Sequence, residues 1–165
     1  MIKKIKNFIF KIIYLLIIIY LLIFVPKIFG YHPLVVVSGS MEPILKVGGI
    51  LYYHEKDIEL FENGEILVYQ TPEHIISHRV IEHKNDGFVT KGDANNNEDF
   101  DLVEHSQILG EGTNWSIPYL GYYADYIYNH KYLIFISLGV IFVDLCGDIY
   151  DSRRKKVGGK GEENC

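Results

Sequence analysis

The chain has 165 residues, a net charge of −5 and an ordinary 22% share of charged residues, so one domain of usual composition is expected. Its charge is segregated. No basic stripe with interleaved aromatics is present, which excludes a nucleic-acid-binding surface. Residues 1–30 carry Lys3, Lys4, Lys6, Lys11 and Lys27 and no acid, the stretch from Tyr31 to Lys131 is acidic, and the end is basic again in Arg153-Arg154-Lys155-Lys156. Such a pattern fits a chain threaded through a membrane with its basic ends on one side.

Phe8 to Val25 reads FIFKIIYLLIIIYLLIFV, and Ile9 to Ile28 frames the run of roughly 20 apolar residues that a spanning helix needs. Lys11 near its start can snorkel to the headgroups. The basic residues before it place the N-terminus in the cytoplasm and send the acidic middle outside. A cleavable secretory leader is the competing reading, but no small-x-small site follows in Val25-Pro26-Lys27-Ile28-Phe29-Gly30. A retained anchor over residues 1–30 is therefore expected.

Residues 31–128 read as a β-rich extracytoplasmic domain. Val35-Val36-Val37 is taken as the end of a strand, followed by a tight turn at Ser38-Gly39-Ser40 that Pro43 prevents from continuing as helix or central strand. Ile50–Tyr53 and Glu65–Tyr69 are short β-branched and aromatic runs bounded by Gly48-Gly49 and Asn63-Gly64. Ile75–Glu82 and Phe88–Lys91 flank the turn signal Asn85-Asp86-Gly87, which predicts a hairpin over residues 75–91. No amphipathic helix of convincing length precedes Tyr119. The expected fold is mainly β, a small open barrel or folded sheet. The two cysteines, Cys146 and Cys165, fall outside this domain, so no disulfide framework supports it.

A second apolar run, Tyr132 to Cys146, is short and is interrupted by Asp144. The basic cluster behind it favours a second spanning helix over residues 129–150 that ends in the cytoplasm. Residues 151–165 are expected to be a disordered cytoplasmic tail.

Serine nucleophiles need a neighbouring base and a group that orients it. Of the seven histidines, His32, His54, His105 and His130 sit in polar or turn-like contexts, and His74 and His83 lie near the ends of the third strand. His78 lies inside that strand, where a hydrogen-bonded structural histidine and a catalytic base are both compatible with the residues. His74 and His78 would pair on a metal only in a helix, which the β-branched context opposes, and no further ligand pattern supports zinc. The acidic loop from Lys91 to Asp101 lacks calcium-loop spacing, because Gly92 precedes the first aspartate. No cofactor is implied.

Three blocks now stand in order: Ser38-Gly39-Ser40-Met41-Glu42-Pro43, Ser77-His78-Arg79-Val80-Ile81, and Thr90-Lys91-Gly92-Asp93-Ala94-Asn95-Asn96 with Asp99 beyond. Together with Ile117–Tyr122 they resemble signal peptidase I of the endoplasmic-reticulum type, in which histidine replaces the lysine base of ordinary bacterial enzymes. The resemblance covers most of residues 34–122. It implies Ser40 as nucleophile, His78 as general base, Asp99 as the partner of His78 and Asp93 as a supporting residue. It also implies that the Ser38 hydroxyl helps the Ser40 N–H bind the oxyanion. Substrate contacts are placed at Val36 and Met41. The chain departs from the family at Gly48-Gly49-Ile50 and Asn63-Gly64-Glu65, where Gly-Asp is commoner. Lys46 and Lys91 are the competing bases; Lys46 is too near Ser40 in sequence, and His78, not Lys91, occupies the family position.

Ser40 follows the first apolar run by about 15 residues, a connection of at most roughly 50 Å, so the site should lie near the outer face of the bilayer. The expected substrates are preproteins bearing N-terminal signal peptides, with the lipid bilayer and the secretion translocon as further partners. An extended substrate is expected to pair with the Val35–Val37 edge. The alternative is a catalytically silent, membrane-anchored β-domain that binds or presents preproteins.

Overall fold

The structure is a computed structural model that describes residues 2–159. By packing it divides into two units, Tyr20–Tyr126 and Met1–Ile19 with Ile127–Cys165. The first helix, α1 (Ile2–Phe24), forms because Ile, Leu, Phe and Tyr follow one another with no glycine or proline to interrupt them. Its 23 residues make a rod about 35 Å long, enough for a hydrocarbon core of about 30 Å. It gives way at Pro26 to a short 3-10 turn, Val25–Phe29, which is closed by Gly30 in the left-handed conformation (φ 85°). Among the described residues, Lys4–Phe29 is the one helical segment long and apolar enough by itself to cross a membrane.

Two further helices are α2 (Leu120–Asn129) and α3 (Tyr132–Gly159). Leu120–Asn129 and Tyr132–Gly147 meet the same test only when taken together across the break between them. The sequence predicts one helix over residues 129–150 and an unstructured tail from residue 151; instead α3 runs on to Gly159. Residues 160–165, including Cys165, lie outside the described residues. Within the helical unit, Asp144 meets Lys6 at 2.6 Å.

The Tyr20–Tyr126 unit holds one antiparallel sheet. Its strands are β1 (His32–Val35), β2 (Ile50–His54), β3 (Ile66–Gln70), β4 (Ile75–Lys84), β5 (Gly87–Lys91), β6 (Val103–Glu104) and β7 (Ile108–Gly112). Their order across the sheet is β1-β2-β7-β3-β4-β5-β6. Strand β3 is buried along four of its five residues, and its period of two explains how. Ile66 and Val68 join Val36, Met41, Leu45 and Leu51 on one face, while Leu67 and Tyr69 join Phe61, Val80, Phe88 and Val103 on the other. Each fully buried aliphatic side chain contributes about 1.5–3 kcal/mol. The sheet is therefore a septum between two small cores, and the hairpin of β4 and β5 forms over residues 75–91 as its turn signal predicts.

Strand β1 stops at Val35, before Val36 and Val37, although Val36 still donates to Gly49 and accepts from Gly48. Strand β7, over a segment for which the sequence analysis gives no reading, separates β2 from β3 in the sheet.

Candidate active site

Beyond β1 the chain turns through Ser38 to Ile44, with Glu42 N–H donating to Gly39 C=O and Leu45 N–H to Met41 C=O. Met41 and Leu45 are buried in the core, so they hold the turn down from below while Ser40, immediately before Met41, stays partly exposed. Val36 and Met41, named from the sequence as substrate contacts, have their side chains in the core, at 7% and 1% exposure.

His78 stands in β4 opposite Leu67 of β3, which fixes its backbone from the side. Its ring lies between two partners. Nε2 is 3.0 Å from Ser40 Oγ, and Nδ1 is 2.5 Å from Asp99 Oδ2. The three residues come from the turn after β1, the middle of β4 and the loop after β5. Ser38 Oγ lies 3.3 Å from Ser40 Oγ. The structure thus brings together four of the residues named from the sequence.

Asp93 is placed elsewhere, away from His78 Nδ1. Its carboxylate takes both ends of the Arg79 guanidinium, Nε at 2.7 Å and Nη2 at 2.6 Å, a bidentate pair of the strong kind. The Asp93 bond, which outweighs the opposing effect of burial, holds the Arg79 pKa above its ordinary value. Arg79 Nη1 also donates to Gly64 C=O and lies 3.3 Å from Asn114 Oδ1. The loop that Arg79 secures reaches the serine directly, because Ala94 N–H donates to Ser40 C=O at 2.8 Å. Gly92 permits that approach; a Cβ there would lie 2.6 Å from Ser40 O and 2.8 Å from Asn95 Nδ2.

Asp99 is held from behind. Its N–H donates to Thr90 C=O at 2.8 Å, and Thr90 Oγ1 donates to its Oδ2 at 2.6 Å. Tyr69 of β3 is buried beside both. Burial first, and then the Asp99 carboxylate, push its phenol above the ordinary pKa, against the lowering effect of its bond with Thr90. Thr90 and Arg79 stand inside the sequence blocks quoted above, but nothing in their spacing gave either a role. A cavity of about 580 Å³ opens beside His78 and Asp99, lined also by Tyr69, Ile76, Phe100 and Asp101.

A chain of hydrogen-bonded groups that runs from a carboxylate through an imidazole to a partly exposed hydroxyl can abstract the hydroxyl proton and return it. No family model matches the chain. Among curated proteins it is similar to signal peptidase I W of Bacillus subtilis, at 30% identity over 130 residues that cover 70% of this chain and 68% of that protein. It is also similar to the signal peptidase complex catalytic subunit SEC11 of Zygosaccharomyces rouxii, 32% identical over 127 residues, with 68% and 75% covered. The subunit of the same name from Fusarium vanettenii is 31% identical over 121 residues, with 65% and 70% covered.

Proposed function

The chain belongs to the signal peptidase I family, of the endoplasmic-reticulum type, and from that premise we propose that it cleaves signal peptides by a Ser40–His78–Asp99 mechanism. It is a peptidase, a hydrolase whose N-terminal apolar helix fits membrane anchoring. The observation that carries the mechanism is the run of contacts from Asp99 Oδ2 through both ring nitrogens of His78 to Ser40 Oγ.

In that mechanism His78 Nε2 takes the hydroxyl proton as Ser40 Oγ bonds to the scissile carbonyl carbon. The oxyanion that develops is met by the Ser40 N–H and the Ser38 hydroxyl. His78 then gives its proton to the leaving amine, the C–N bond breaks, and an ester links the signal peptide to Ser40. Water attacks that ester, its proton going to His78 and from there to Ser40 Oγ as the C–O bond to serine breaks, and the peptide leaves as the free acid. Asp93 acts at one remove, through Arg79 and the loop that carries Ala94. The extended substrate lies along the outer edge of β1 near Val37, whose side chain is 81% exposed. Specificity for small residues comes from steric exclusion at that edge.

The domain of residues 31–128 is assigned to the outer face of the membrane, beside the secretion translocon, with both termini in the cytoplasm. Residues 129–150 are assigned to a second span. The Lys6–Asp144 pair supports this, because it joins the near end of the first apolar run to the far end of the second and neutralises a carboxylate that lipid would penalise. Labelling Cys165 in sealed vesicles tests the topology. It should react only from the cytoplasmic side, and outer-face reactivity would remove the second span.

The mechanism is tested with the full chain in detergent–lipid micelles and a preprotein that has a small-x-small site. Wild type should release a mature protein with a single new N-terminus, and Ser40→Ala should release none. Cleavage that persists in Ser40→Ala would overturn the proposal.

A further inference from the structure

We propose that Thr90 is a positioning residue for this reaction: it holds the Asp99 carboxylate in the one orientation that presents His78 Nε2 to Ser40. The inference rests on the Ser40–His78–Asp99 reading and adds to it a residue that never touches substrate.

Thr90 is the fourth residue of β5, and it is 0% exposed. A fully buried position in a strand suits valine as well as threonine by shape, so the hydroxyl needs a reason to be there. An unsatisfied buried hydroxyl is costly, and this one spends its proton on Asp99 Oδ2 at 2.6 Å. The backbone makes the second tie, Asp99 N–H to Thr90 C=O at 2.8 Å. One residue of the sheet therefore grips both the main chain and the side chain of one residue in the loop.

That grip matters because of where Asp99 sits. It follows β5 by several loop residues, most of them exposed, so nothing regular in the backbone orients its carboxylate. The oxygen that Thr90 holds is the same one that meets His78 Nδ1. With Oδ2 fixed between the two donors, the imidazole keeps its proton on Nδ1 and leaves Nε2 open toward Ser40. If the hydroxyl is removed, the carboxylate can rotate about its own side-chain bonds, and the imidazole loses its reference. Tyr69 of β3 is buried beside both groups.

The test uses the full chain in detergent–lipid micelles with single-turnover and steady-state cleavage of one preprotein. Thr90→Val should lower kcat on the order of tenfold or more, the scale of a lost hydrogen bond to a charged group, while KM stays within about twofold. Thr90→Ser, which keeps the hydroxyl, should return kcat to within about threefold of wild type even though the missing methyl lowers the melting temperature. In an Asp99→Asn background, adding Thr90→Val should cost kcat almost nothing further, because the two residues act in series. Thr90→Ala serves the same reading if the valine variant does not fold. Three outcomes would each overturn the role: a wild-type kcat in Thr90→Val, a serine variant as slow as the valine one, or fully additive losses with Asp99→Asn. Cleavage surviving in Ser40→Ala would instead remove the reading beneath it, so the two failures are told apart.

Discussion

Two polar clusters sit in the same domain and are built on opposite plans. Around Lys56, every charge is answered from inside. Its Nζ reaches Glu65 Oε1 and Oε2 at 2.7 and 2.6 Å and Glu111 Oε2 at 3.0 Å, with Phe61 under it and Glu62 N–H on Glu65. Around His78 the run of bonds starts at buried Thr90 and finishes on the hydroxyl of Ser40, which is partly exposed. The first cluster is closed, tying the segments beside β2, β3 and β7. The second is open at one end, and an open end is where a proton can be exchanged with something that is not protein. Pairing alone does not mark a reactive site; what marks it is the direction in which the pairing stops.

Variants break the comparison where it is sharpest. Ser40→Ala and His78→Ala should each lower cleavage by at least about a thousandfold; the melting temperature should move little in Ser40→Ala and fall in His78→Ala, which removes a buried ring and strands the Asp99 carboxylate. Circular dichroism melting beside the preprotein assay checks both halves. Asp99→Asn should follow, with a loss on the order of a thousandfold, because an amide no longer enforces the imidazole orientation. Asp93→Asn should cost less, about tenfold, because it loosens Arg79 and the Ala94 contact without removing a group from the proton path. If Asp93→Asn proved as damaging as Asp99→Asn, the division between the two acids would fall.

These assignments show how far the sequence carries and where it stops. Helix α1 is legible because nothing in Phe8–Val25 competes with a spanning helix, and the β4–β5 hairpin because Asn85-Asp86-Gly87 sits between two β-branched runs. That hairpin brings the acidic loop beside His78, but spacing could not say which aspartate would turn toward the ring; register and the Thr90 contact decide it. Strand β7 was illegible for a physical reason. Ile108-Leu109-Gly110-Glu111-Gly112 has two glycines, which argue against a strand by propensity. They are required by its neighbours: a Cβ on Gly110 (φ 150°) would lie 2.0 Å from His54 O, and one on Gly112 2.9 Å from Ile66 Cγ2. Tertiary crowding wrote that segment, and one chain read alone does not reveal crowding. Val36 and Met41 show the same limit: both side chains are buried in the core, and proximity to the serines in sequence does not tell a side chain that lines a site from one that anchors it.

The closed cluster supplies the smallest effects and the cleanest contrast. Lys56→Met strands the partly buried carboxylates of Glu65 and Glu111 and should cost about 1–3 kcal/mol of stability, with kcat per folded molecule unchanged. For a domain of this size that lowers the melting temperature by roughly 4–8 °C per kcal/mol. Acid should reproduce part of this loss in wild type. Burial opposes ionisation of Glu65, but the bonds from Lys56 and from Glu62 N–H win and hold its carboxyl below the usual carboxylate range. A group whose pKa is lowered on folding stabilises the fold at pH values above its unfolded pKa. That contribution disappears as pH falls through the folded value. Melting temperature should therefore fall on the acid side of about pH 4.5, and Glu65→Gln should flatten that limb by removing the titrating group. An acid limb equally steep in Glu65→Gln would mean that the cluster contributes no pH-dependent stability and that the closed plan is geometric rather than electrostatic.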